Sequence, residues 1–283
     1  MPPPTPLRSS RRRRRTAFAA VLSAFAVAAG ALGASAATAV SSNWSGYAVT
    51  GTTFSTVSGS WAQPSANCNS STIGTTASAF WVGLGGDSNS SNTLEQTGTE
   101  ADCLANGTVR YSAWYELVPK ASVKVRLKVA AGDRISASVK VIGTSVTLQL
   151  SNLTTNATFS KTLKMSAPDV SSAEWVAEAP SAVTPGGTSV LPLTDFGTVK
   201  FSKATARSTG GHLGAISDSA WSATRIELES TGGPGGGPRP FSPFAAYNAG
   251  AAKAVPTVLS AAGEAFSVTF HQDASTATQT VAA

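Results

Sequence analysis

The sequence predicts an all-β protein, an antiparallel two-sheet β-sandwich of the concanavalin-like jelly-roll kind, on three observations. Apolar and polar residues alternate in many short runs. Gly, Asn, Ser and Pro separate those runs at fairly regular intervals, and no stretch after residue 36 carries a sustained helical apolar period with convincing caps.

The strands are read in order from this pattern. Trp44 to Val49, Phe54 to Trp61, Ala79 to Leu84 and Val109 to Leu117 are candidates in the first half. In Val123-Lys124-Val125-Arg126-Leu127-Lys128-Val129 every second residue is apolar, so one face should meet a core and the other water. Ala131-Gly132-Asp133 reads as a turn that pairs this run with Arg134 to Ile142 in a hairpin. Val146, Leu148 and Leu150 repeat the period, and Ala157 to Leu163, Phe196 to Phe201, Thr224 to Glu229 and Phe266 to Phe270 follow. The Gly- and Pro-rich stretch at 231–243 cannot pair as a strand and reads as a surface loop inserted within one domain spanning 37–283.

Residues 1–36 read as an export signal. Arg8 and Arg11 to Arg15 precede an apolar run from Thr16 to Leu32, and Ala34-Ser35-Ala36 supplies small residues for cleavage. This leader holds 6 of the 21 Lys and Arg and none of the 15 Asp and Glu, so the net charge of +6 belongs to it. The remaining chain is charge-balanced and offers no support for a nucleic-acid partner or for a membrane partner once the signal is removed. In an exported chain the two cysteines, Cys68 and Cys103, are expected to form one disulfide between polar loops. A monomer is the default expectation.

Several chemistries lack their equipment. There is no Gly-x-Ser-x-Gly elbow, and the two histidines, His212 and His271, lie far apart. There is no His-Glu-x-x-His, no Cys/His cluster and no calcium-loop spacing, so no metal or other cofactor is implied. Chemistry would fall to carboxylates and amides. Ser172-Ala173-Glu174-Trp175-Val176-Ala177-Glu178 places two carboxylates in an apolar, strand-like segment. On a strand Glu174, Val176 and Glu178 share one face, and residues four apart are separated by about 13 Å, too far to flank one bond.

Other segments read with this one: Ser42-Asn43-Trp44-Ser45-Gly46-Tyr47, Ala79-Phe80-Trp81-Val82-Gly83, Leu94-Glu95-Gln96-Thr97-Gly98 and Ala113-Trp114-Tyr115-Glu116. Taken in order, they resemble the glutamic peptidases called eqolisins, over nearly the whole chain after residue 36. The resemblance implies a secreted endopeptidase acting on polypeptides, with Glu178 as the catalytic acid and Gln96 as its partner. It also implies that Trp81 lines the cleft and Glu116 sits in its floor, and Trp114 is taken as a further substrate contact. Two positions depart from the family pattern: Gly85 and Ser112 stand where acidic residues are usual, so the pKa of Glu178 is expected to be raised less than in the relatives. A groove of tryptophan and glutamate also suits sugars. The alternatives are a carbohydrate-active or lectin-like jelly roll, with Glu178 and Glu116 as the pair of acids, and a binding protein that has kept the peptidase fold without activity.

Overall fold

The computed structural model describes residue 1 and residues 36–70, 74–87, 91–184, 187–229 and 252–272. The expected export signal, residues 1 and 36 apart, and the expected loop at 231–243 lie outside the described residues. The strands are β1 (Ala37–Ser41), β2 (Trp44–Thr50), β3 (Phe54–Ala62), β4 (Ala79–Gly85), β5 (Leu94–Cys103) and β6 (Val109–Val118). There follow β7 (Val123–Val125), β8 (Arg134–Ile142), β9 (Ser145–Asn152), β10 (Ala157–Lys164), β11 (Ala173–Glu178) and β12 (Ser181–Thr184). The last are β13 (Gly187–Val190), β14 (Thr198–Ser208), β15 (Leu213–Ala215), β16 (Ser222–Glu229), β17 (Ala252–Pro256) and β18 (Phe266–Phe270). Among the described residues the helical content is a single 3-10 turn, Cys68–Ser70.

The all-β expectation holds, and among the described strands the pairing is antiparallel except for β1, which runs parallel to β16. The hydrogen bonding runs as one continuous sheet of 16 strands among the described residues, rather than as two separate sheets. Its order is β10-β9-β8-β3-β14-β18-β17-β16-β2-β11-β4-β5-β6-β7, with β1 and β15 attached to the side, and β12 with β13 forms a separate hairpin. The sheet folds back on itself. Trp175 on β11 donates its indole N–H to the Ser58 carbonyl on β3 at 2.7 Å, and Trp61 on β3 donates to Thr99 Oγ1 on β5 at 3.0 Å. Tyr115 on β6 stacks on Phe159 of β10 with centroids 5.9 Å apart.

The core between the facing halves follows from period-two patterning. Ile135, Ala137, Val139 and Val141 on β8 and Val146, Leu148 and Leu150 on β9 are all buried, with Ser, Lys and Gln between them facing out. Each fully buried Val, Leu or Ile contributes about 1.5–3 kcal/mol over an exposed one.

Two local expectations are corrected. Val123 to Val129 forms only the three-residue β7, which pairs with β6, so the expected hairpin with Arg134 to Ile142 does not exist. β8 pairs instead with β3 and with β9, the latter across a two-residue turn in which Gly143 takes φ 56°. The cysteines do form a disulfide, but Cys103 is no loop residue: it ends β5 and is fully buried. The bridge ties the turn at Cys68 to the strand that carries Gln96.

Candidate active site

Strand register decides which side chains meet. β11 lies between β2 and β4, which puts Glu178 directly across from Trp44 and Ala79. β5 lies between β4 and β6, which puts Gln96 across from Gly83 and Glu116. Because side chains alternate, Trp44, Glu178, Trp81, Gln96, Trp114 and Glu116 all leave the sheet on the face opposite the main core. Glycines give Trp81 its room: a Cβ at Gly98 would lie 2.6 Å from the Trp81 Cβ, and one at Gly83 would lie 2.9 Å from its ring.

This face holds a cavity of about 410 Å³ lined by Asn43, Trp44, Gln96, Trp114, Glu116 and Glu178, with Glu100 farther along the same wall. Glu178 is the sole residue of β11 that is not fully buried. Both of its carboxylate oxygens are held: Trp81 Nε1 donates to Oε2 at 2.7 Å, and Asn43 Nδ2 donates to Oε1 at 3.1 Å. Burial first, and then the neighbouring Glu116 carboxylate, push its pKa up to about 8, against the pull of the Trp81, Trp44 and Asn43 donors. With Gly85 and Ser112 uncharged the shift is still large, because burial outweighs neighbouring charge.

Gln96 is 5% exposed. Its Nε2 donates to Glu116 Oε2 at 2.8 Å, while its Oε1 is buried without a hydrogen-bond partner. The pKa of Glu116 is itself raised, chiefly by burial, with the Gln96 donor opposing the shift. Trp114 lines the cavity with its Nε1 unpartnered. Trp81 is different from the expected cleft-lining residue: it is 0% exposed and sits behind the cavity wall. There it packs edge-on to Trp44 at 5.0 Å between centroids and reaches Glu178 through its N–H.

Glu174, the other acid of β11, lies outside this constellation. It is 0% exposed, and no hydrogen bond of ordinary geometry holds either carboxylate oxygen, the Ser172 hydroxyl being only a weak neighbour. Burial first, and then Asp87, Asp169 and Glu95, raise its pKa well above the ordinary carboxylate range, with Ser172 opposing. Burial likewise pushes Glu95 to about 8 and Asp87 to about 7. Burial acts on Asp169 in the same direction, but hydrogen bonds from Ser91, Ser171 and Gly86 outweigh it and hold its pKa below the usual value. Gly85 suits its place, with φ 84° and no room for a side chain: a Cβ there would meet the Asp169 Cβ at 2.6 Å. Among the described residues no three His, Cys, Asp or Glu side chains group as metal ligands do.

The structure thus gathers Gln96, Glu116, Trp114 and Glu178 around one cavity, with Trp81 behind it. Sequence reasoning gave no role to Asn43, to Glu100 or to the group of acids around Glu174. Asn43 stood inside a quoted motif, and its position just before an apolar strand was the available signal.

Known proteins resemble this chain in sequence and in fold. The sequence profile of the Peptidase A4 family matches residues 42–233. Aspergillopepsin-2 of Aspergillus niger is 29% identical over 213 residues, covering 68% of this chain and 72% of that protein. Scytalidopepsin B of Scytalidium lignicola is 39% identical over 124 residues, covering 43% of this chain and 44% of that one. The crystal structure of scytalido-glutamic peptidase with a transition state analog inhibitor superposes with a TM-score of 0.62 at 26% identity, covering 81% of this chain and 98% of that one. SCP-B, an eqolisin solved in complex with the tripeptide Ala-Ile-His, gives 0.58 at 25% identity, with the same coverage. The chain belongs to the Peptidase A4 family, the eqolisins, and is a glutamic endopeptidase.

Proposed function

We propose that Glu178 and Gln96 hydrolyse peptide bonds by activating water, without a covalent intermediate. The observation that carries this reading is the Glu178 carboxylate, held by two N–H donors at the wall of a cavity that Gln96 also lines. In its ionised form Glu178 takes a proton from a water attacking the peptide carbonyl, then returns it to the leaving amine nitrogen as the C–N bond breaks. The raised pKa of Glu178 suits both halves of that exchange. Gln96 has one amide hydrogen engaged by Glu116, a second available to the developing oxyanion, and a free Oε1 to accept from the attacking water. A donor of this kind contributes on the order of 3 kcal/mol.

The remaining features support a coherent setting. The way the sheet folds back on itself supports reading it as the two layers of a jelly-roll sandwich, and residues 37–283 as one domain. The open cavity, with Trp114 on its wall, accepts an extended polypeptide, in keeping with the peptide-based transition state analog that scytalido-glutamic peptidase binds. The basic, apolar and small-residue pattern of residues 1–36 supports export, with the peptidase acting outside the cell as a monomer. The test is Gln96→Ala assayed on a denatured protein substrate. We expect kcat to fall ~10²–10³-fold with the fold intact; unchanged hydrolysis would remove the amide from the mechanism.

A further inference from the structure

We infer that Asn43, set in place by Ser41, is a positioning residue for Glu178, and that it fixes the cavity as the one direction in which Glu178 exchanges a proton. The inference rests on the proposed acid–base role of Glu178 and deepens it.

Ser41 ends β1 and is fully buried. Its Oγ accepts from the backbone N–H of Asn43 at 3.2 Å and of Trp44 at 3.0 Å. A hydroxyl has two lone pairs and one proton. With both lone pairs engaged, it can act toward Asn43 Oδ1, 3.3 Å away, only as a donor. The Asn43 amide therefore has one orientation: Oδ1 faces Ser41, and Nδ2 faces Glu178. The backbone fixes the same residue from the other side, because the Ala179 N–H donates to the Asn43 carbonyl at 2.8 Å, beside Glu178 in sequence.

The consequence concerns the proton on Glu178. Asn43 Nδ2 and Trp81 Nε1 are donors without acceptor capacity, and each occupies one carboxylate oxygen. A protonated Glu178 can hand its hydrogen to neither. Its O–H must point into the cavity, where the leaving amine would lie. Both partners also favour the ionised form, so removing one makes Glu178 harder to deprotonate. Glu116 is the titrating group whose charge acts on Glu178; Trp44, Trp81 and Asn43 face it from β2, β4 and the segment before β2, and carry no charge.

The test compares Asn43→Ala, Asn43→Asp and Ser41→Ala with the native protein and with Glu178→Gln, measuring kcat, KM and the acid limb of kcat/KM on a fluorogenic peptide. We expect Asn43→Ala to lower kcat ~10-fold with KM within about twofold, and the acid limb to move alkaline by about one pH unit. Asn43→Asp keeps the shape but replaces the donor with a like charge, so its limb should move farther. Ser41→Ala frees the amide to turn and should shift the limb in the same direction by less. Circular dichroism checks folding, and Asn43→Asp, which is isosteric, keeps the test open should Asn43→Ala not fold. Native kcat and an unmoved limb in folded Asn43→Asp would overturn the inference, as would a rise in KM alone, which would make Asn43 a substrate contact. Activity persisting in Glu178→Gln would instead sink the proposed role of Glu178 itself.

Discussion

Gln96 and Glu116 are directly opposed across β5 and β6, and the amide of one donates to the carboxylate of the other at 2.8 Å. That pairing does two things at once. It orients the Gln96 amide so that Oε1 is free, and it leaves a negative charge near enough to Glu178 to raise its pKa.

Glu116→Gln separates these effects. Removing the charge favours the ionised form of Glu178, so the acid limb of kcat/KM should move to lower pH. The Gln96 orientation becomes ambiguous at the same time, and kcat should fall ~10-fold. A pH–rate profile on the folded variant checks both, and an alkaline movement of the limb would contradict the charge argument.

The buried acids make stability depend on pH with a definite sign. A carboxyl whose folded pKa is raised stabilises the fold fully below its unfolded value and loses that contribution as pH climbs through the folded value. Glu95 and Glu178 rise from 4.5 to about 8 and Asp87 from 3.8 to about 7, while Glu174 rises well above 4.5. Each linked group contributes about 1.4 kcal/mol per pH unit across its window. The melting temperature should therefore be highest in acid and fall between about pH 4 and 8. Glu174→Gln, which cannot ionise, should shrink that fall; thermal unfolding of both proteins at the two ends of the range decides it.

Trp81→Phe keeps an aromatic ring in the buried site but deletes the N–H that holds Glu178 Oε2. We expect the acid limb to move alkaline, kcat to drop ~10-fold and stability to fall by about 1–3 kcal/mol. An unmoved limb would show that the indole serves packing alone.

Much of the fold was legible because it obeys alternation. β8, β9 and β11 were read correctly, and the shared face of Glu174, Val176 and Glu178 follows from the register of β11 with β4. β5 escaped because Leu-Glu-Gln-Thr-Gly-Thr-Glu-Ala-Asp-Cys has little of the β-branched, apolar character of a strand. Its polar residues are there because several face the cavity or hydrogen-bond within the sheet, a tertiary cause that no local pattern reveals. Val123 to Val129 fails the other way: the alternation is clean, yet Val123 is 44% exposed and the strand stops at Val125. Gln96 and Glu178 were named through family resemblance, whereas Asn43 and Asp169 act through contacts spanning 135 and 78 residues, which only the folded chain brings together.

The disulfide should matter for stability more than for chemistry. It joins the Cys68 turn to the end of β5 across a sequence separation of 35. Removing it by Cys68→Ser with Cys103→Ser should lower stability by about 2–4 kcal/mol and leave kcat near native at low temperature. Loss of activity in the folded variant would mean that the bridge positions Gln96.

The most direct measurement is kcat of the purified Glu178→Gln variant beside the native protein from acidic to neutral pH, on a denatured protein substrate, with circular dichroism on both. Glutamine keeps the shape of Glu178 but can neither accept nor return the water's proton, so peptide release should vanish at every pH while the fold is unchanged. Peptide release at the native rate from a folded Glu178→Gln variant would contradict the account.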